Sequence, residues 1–80
     1  MHELGILRHI VGIVEQVADK NRIEAIKNIT LEVGAESGVV PLYMNKLFPV
    51  VAEAFPILKN AELVIHMVAG NDLIIKEIRY

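Results

Sequence analysis

The residues best placed to do chemistry stand at the head of the chain, Met1-His2-Glu3. A free α-amine, the backbone amide nitrogen of His2 and the Nδ1 atom of its imidazole fold around one metal ion as fused chelate rings. Nickel(II) and copper(II) favour such a nitrogen-rich, square-planar set because both displace the amide proton. The bulky His2 side chain disfavours enzymatic removal of Met1, so the amine is expected to be that of Met1. From Glu3 onward the chain reads as a helix, and the first N–H groups of a helix lack intrahelical acceptors, so deprotonating one breaks no helix bond. A cation here opposes the positive helix end. The amide's negative charge and the Glu3 carboxylate offset that cost. Glu3 can also accept a hydrogen bond from the imidazole and orient it, as carboxylates beside metal-bound histidines do. Three nitrogens leave one square-planar position, for water, a neighbouring molecule's histidine, or His66. The plainer alternative is a solvated terminal histidine, with His66 a strand residue facing water. Copper binds the same donors more tightly than nickel, so the set by itself does not select the metal.

The rest of the composition is mainly exclusive. The chain has 80 residues and no cysteine, which removes disulfides, thiolate zinc sites, iron–sulfur clusters and cysteine nucleophiles. Met44 and Met67 read as core fillers, and His9 as a boundary residue of the first helix. Glu32, Glu36 and Ser37 suit either a partner surface or solvated positions. Glu62, Glu77 and His66 would form an acid–base cluster only if the last two strands brought them together. No nucleophile, phosphate-binding loop or paired-carboxylate pocket accompanies them, so an enzyme is not expected. The net charge of −2 is interspersed, with no basic stripe, which argues against nucleic acid. No apolar stretch approaches the ~20 residues of a membrane helix. Glu3 and Arg8 interrupt the first apolar segment and no cleavage pattern comes after it, so a cytoplasmic protein is expected.

Periodicity supplies the framework that holds these groups. From about Glu3 to Lys20, Ile6, Leu7, Ile10, Val11, Ile13, Val14 and Val17 form one broad apolar helical face. From Ala25 to Val33 the period becomes two, with Ile29, Leu31 and Val33 on one side and Asn28, Thr30 and Glu32 on the other. A loop at Gly34–Gly38 leads to Pro41, which suits a helix start. Leu42, Met44, Leu47, Phe48, Val51 and Phe55 make a second helix, with Pro49 expected to kink or restart it and Pro56 to end it. Ala61–Val68 and Asp72–Tyr80 read as strands joined by a Gly70-Asn71 hairpin turn, whose register stays open. The order is α-β-α-β-β: an α/β, two-layer arrangement with a parallel β-α-β unit, a final antiparallel strand and two helices over a mixed three-stranded sheet.

Met1-His2-Glu3-Leu4 opening an amphipathic helix resembles the start of the HypA/HybF nickel metallochaperones. So does Ile29-Thr30-Leu31-Glu32-Val33-Gly34-Ala35-Glu36-Ser37-Gly38-Val39, and so do Ala61-Glu62-Leu63 and Gly70-Asn71-Asp72-Leu73-Ile74-Ile75. The likeness spans nearly the whole chain in order, and residues 1–80 are expected to form one nickel-binding domain of that type. It implies the same α-β-α-β-β order and a nickel site at Met1, His2 and Glu3. It also implies delivery of nickel(II) to the large subunit of a nickel–iron hydrogenase, together with the family's GTPase, and in some bacteria service to urease. One departure is large. The family carries a zinc module with two CxxC pairs between its second and third strands, where this chain has only Met67 to Asp72. No zinc is therefore expected. Either this is a natural zinc-less relative or the module has been replaced by a tight turn, and chaperone activity is in doubt even where nickel binding survives.

The rival expectation is a metal-independent interaction or assembly domain built on that fold. The chain is 54% hydrophobic with a mean hydropathy of +0.45, rich for 80 residues, so some apolar surface is expected to meet a partner. A three-stranded sheet also has free edges that can pair with, or exchange a strand with, another copy in a homodimer.

Overall fold

The computed structural model describes residues 2–80. Helix α1 spans Glu3–Lys20, strand β1 Asn28–Gly34, helix α2 Pro41–Ala52, strand β2 Glu62–Val68 and strand β3 Leu73–Arg79, with a short 3-10 turn at Pro56–Leu58. Both helices lie against one face of a mixed three-stranded sheet, as the periodicity implies. Leu7, Ile10, Val11, Val14 and Ala18 of α1 and Met44, Phe48, Val51 and Ala52 of α2 close on Ile29, Leu31 and Val33 of β1. Each Leu, Ile, Val, Met or Phe among them contributes about 1.5–3 kcal/mol on burial. Ile26 belongs to this core although it precedes β1; its N–H donates to the Ile57 carbonyl, which ties the strand entry to the 3-10 turn.

Two helical expectations need correction. Ile13 and Val17 are 37% and 36% exposed, because α1 turns only part of its broad apolar face toward the sheet. Helix α2 runs through Pro49 to Ala52 without restarting, and Pro56 opens the 3-10 turn instead of ending a helix. Pro49 and Asn45 are both exposed, so the carbonyl that Pro49 leaves without a donor can turn to water.

The sheet departs from expectation in its topology. The strand order is β2-β1-β3, so β2 and β3 flank β1 and do not pair as a hairpin. β1 runs parallel to β2 and antiparallel to β3. The segment from Ala69 to Asp72 therefore crosses the C-terminal end of β1, where three backbone bonds fasten it. Gly34 N donates to the Asp72 carbonyl at 2.7 Å, Ala35 N to that of Val68 at 2.7 Å, and Glu36 N to that of Gly70 at 2.9 Å. Gly70 turns the chain with φ +106°. Gly34 leaves room for the crossing: a Cβ there would overlap the Gly70 carbonyl oxygen and lie 2.6 Å from its carbon. A glycine-rich turn signal reports that the chain reverses, not which strand it will meet.

Candidate metal centre

His2 is the N-cap of α1, with φ −93° and ψ 79°, and its carbonyl accepts the first helical hydrogen bond from Ile6 N at 3.1 Å. The N-cap amide has no intrahelical acceptor. No side-chain capping bond engages the imidazole, and His2 is exposed. The amide and ring nitrogen expected to chelate thus lie at a position where their use breaks no helical hydrogen bond. The third donor, the Met1 α-amine, lies outside the described residues.

Glu3 does more than the sequence implied. The residue is buried, 7% exposed, and Oε2 accepts the backbone N–H of Val40 at 3.1 Å. Val40 is the N-cap of α2, so one negative charge at the head of α1 also sits against the positive end of α2. The Val40 hydrogen bond, with Glu3's own backbone N–H, holds the carboxyl below its ordinary value against the opposing effect of desolvation. A carboxylate has about four lone-pair sites, so Glu3 can hold Val40 and still accept an imidazole N–H. Because its folded pKa is depressed, the stability it contributes is present above 4.5 and lost as pH falls through the lower folded value. Glu3→Gln is therefore expected to lower Tm at pH 7 and by the same amount at pH 6. The gap should close only below pH 4.5, as read by thermal melts across pH.

A groove of about 490 Å³ opens beside this helix start, lined by His2, Gly5, Ile6, His9, Ile10, Ser37, Val39, Asn71 and Leu73. It joins α1 to the post-β1 loop and to the crossing segment. His9 thus shares a groove with His2, which its place between apolar faces did not foretell. Ser37 shapes the wall: its hydroxyl donates to the Gly34 carbonyl at 2.7 Å and accepts Val39 N at 3.2 Å.

His66 is absent from this groove. It lies exposed on β2 opposite Glu32, whereas Leu31 and Ile65 turn toward the core, so it belongs to the sheet face that no helix covers. Glu32 pairs there with Lys76 at 3.2 Å. Glu62 and Glu77 sit on strands separated by β1, so the acid–base cluster that a hairpin would have assembled does not form. Among the described residues no group of three or more His, Asp or Glu converges as a metal cage. A centre at the chain head must then use main-chain nitrogen, which side-chain patterns alone do not reveal.

Comparison with known proteins agrees with this architecture. The family model for hydrogenase/urease nickel incorporation, metallochaperone HypA, matches residues 1–79. The hydrogenase maturation factor HypA of Chloroflexus aggregans is 41% identical over 68 residues, covering 85% of this chain and 59% of that protein. The Legionella pneumophila (strain Corby) factor of the same name is 37% identical over 71 residues, covering 89% and 62%. The solution structure of the Ni metallochaperone HypA from Helicobacter pylori shares the fold with a TM-score of 0.79 at 24% identity, over 85% of this chain and 58% of that one. A second HypA solution structure gives 0.73 at 19% identity, over 96% and 71%. The chain thus spans about three fifths of the length of the curated relatives it matches. With a family model running from the first residue to the last strand, and two helices on a β2-β1-β3 sheet that overlays solved relatives, the chain belongs to the HypA family.

Proposed function

We propose that this chain is a nickel(II)-binding metallochaperone domain for maturation of nickel–iron hydrogenase, holding its cargo at the free N-terminus. The observation that carries this reading is His2 as an uncapped helix N-cap whose amide has no helical partner, directly before a carboxylate kept ionised. The Met1 amine, the His2 amide and the His2 imidazole supply three in-plane nitrogens, and Glu3 orients the ring. Water, or a donor supplied by the recipient, fills the fourth position. His66 stands on the sheet face away from the helices and takes no part. Every donor must lose a proton or be neutral to bind, so affinity rises with pH, and protonation offers a route to release.

The partners are those of the family: the maturation GTPase and the hydrogenase large subunit, with urease as a further recipient. The GTPase would approach the start of α1, where the metal is held. No helix among the described residues is long and apolar enough to cross a membrane, which accords with a cytoplasmic chaperone. The absence of cysteine removes the ligands of the family's zinc module, so nickel is bound without zinc.

The test is a nickel(II) titration, by calorimetry and visible absorption, of the native chain and of the same chain with one residue added before Met1. One-to-one binding with a square-planar spectrum in the first, and its loss in the second, is the expected result. Equal binding by both would rule out the terminal amine. Absence of binding in both would leave the metal-independent interaction domain as the function of this fold.

A further inference from the structure

Counting from the N-cap at His2 puts Glu3, Leu4, Gly5 and Ile6 at the first four helical positions of α1. The polar devices that fix a chain's entry into a helix are missing there. The His2 side chain makes no capping bond. The third helical position, where a capping box places Glu or Gln, is Gly5. What the sequence keeps is the apolar device. A hydrophobic residue just before the N-cap packs against one at the fourth helical position as a hydrophobic staple, and here those two are Met1 and Ile6.

The groove beside the helix start is shaped to receive that staple. Ile6 is half-buried against the core and lines the groove with His2, Gly5, Val39 and Leu73. Three of these walls are aliphatic. A Cβ built on Gly5 meets nothing within 4 Å, so the groove is open where any larger residue would stand. Glycine is a poor helix former, and at this position it leaves space at a cost to α1. Met1, which lies outside the described residues, is bonded to His2 at the groove's mouth. Successive Cα atoms are about 3.8 Å apart, and the unbranched thioether chain of methionine fills irregular apolar gaps.

We propose that the Met1 side chain is the occupant of this groove, stapled to Ile6 across Gly5, and that Met1 is thereby a positioning residue for its own metal-binding amine. The inference rests on the terminal nickel site and adds how its first donor is aimed. Anchoring the side chain fixes the direction from which the chain enters α1, and with it the α-amine relative to the amide and imidazole of His2. Nickel(II) then closes its chelate rings on an ordered terminus, and affinity gains by the entropy already lost. The sulfur faces the aliphatic walls and not the metal, so the donor set remains three nitrogens.

The test uses the full chain released from a cleavable N-terminal fusion, so that any first residue carries a free α-amine. Met1→Ala keeps all three nitrogen donors and should raise the nickel(II) Kd by about tenfold with an unchanged visible spectrum. Met1→Leu restores an apolar side chain of similar size without sulfur and should bind within about threefold of the parent. Ile6→Ala removes the other half of the staple, and adding Met1→Ala to it should weaken binding little further. Circular dichroism checks that each chain folds. In the metal-free parent, the Met1 methyl protons should show nuclear Overhauser contacts to Ile6, Val39 or Leu73, a measurement that needs neither a variant nor nickel. Unchanged affinity in Met1→Ala would overturn the staple while leaving the terminal chelate standing. So would a Met1→Leu chain as weak as Met1→Ala, full additivity of Met1→Ala with Ile6→Ala, or a Met1 methyl without contact to the groove. No nickel binding by the parent would instead remove the terminal site, and the positioning role with it.

Discussion

Gly34→Ala is expected to cost about 3–5 kcal/mol, enough to leave much of the domain unfolded at 37 °C. The added methyl group would overlap the Gly70 carbonyl oxygen, sit 2.6 Å from that carbonyl carbon and lie 2.9 Å from Asn71 N. All three are backbone atoms, so no side chain can swing away. Relief requires the Ala69–Asp72 crossing to lift, and the bonds that Gly34, Ala35 and Glu36 donate to it lengthen or break. Each contributes about 0.5–1.5 kcal/mol, and lifting the crossing also frees the start of β3. The control is Gly12→Ala. A Cβ at Gly12 meets nothing within 4 Å, so that change should stabilise α1 by about 0.5–1 kcal/mol. Urea unfolding of the two variants should move in opposite directions. A Gly34→Ala chain as stable as the parent would mean that the crossing is not held against β1.

His2→Ala is expected to weaken nickel(II) binding by at least about 100-fold, since even residues that merely orient a ligand cost 10–100-fold when removed. The change deletes a nitrogen donor and a chelate ring while leaving the amide and the amine. The fold should be indifferent: His2 is exposed and makes no capping bond, so stability should stay within about 0.5 kcal/mol of the parent. Affinity lost without stability lost separates a ligand from a structural residue. His66→Ala is the companion, expected to bind nickel as the parent does because His66 lies outside the His2 groove. Undiminished binding by His2→Ala would remove the terminal site; a large loss in His66→Ala would bring β2 into the coordination sphere.

Local periodicity carries most of this fold and little of its long-range detail. The i, i+3, i+4 spacing of Leu7, Ile10, Val11 and Val14 marks α1, and the alternation through Ile29, Leu31 and Val33 marks β1, because burial on one face imposes those periods. Neither pattern says where a face ends, so periodicity counts Ile13 and Val17 as core. The imperfect alternation of β3 is the trace of its bulge, visible only once Thr30 and Leu31 supply the opposing register. At the candidate site, the proposed donors of His2 can be named from the sequence because chelation by a chain head is local chemistry. The bond from Val40 to Glu3 is not, since it joins residues 37 apart in sequence and depends on how two helices meet. The pairing of β3 with β1 is hidden for the same reason: a turn signal is local, whereas strand order is settled by the whole sheet.

The crossing at residues 69–72 also makes the chain a cassette with a splice port. The bonds from Ala35 to Val68 and from Gly34 to Asp72 anchor the two lips of the port outside the turn itself. A segment of any length can be let in between Ala69 and Asn71 while both lips stay in register, and the loop-closure penalty grows only as the logarithm of that length. Gain or loss of a folded insert there is thus a change of attachment, not of architecture. Asn71 lies in the wall of the His2 groove, so whatever is grafted at the port becomes the immediate neighbour of that groove. Sheet topology alone places the port beside the proposed nickel site, so a different graft would change the surroundings of that site without changing the fold.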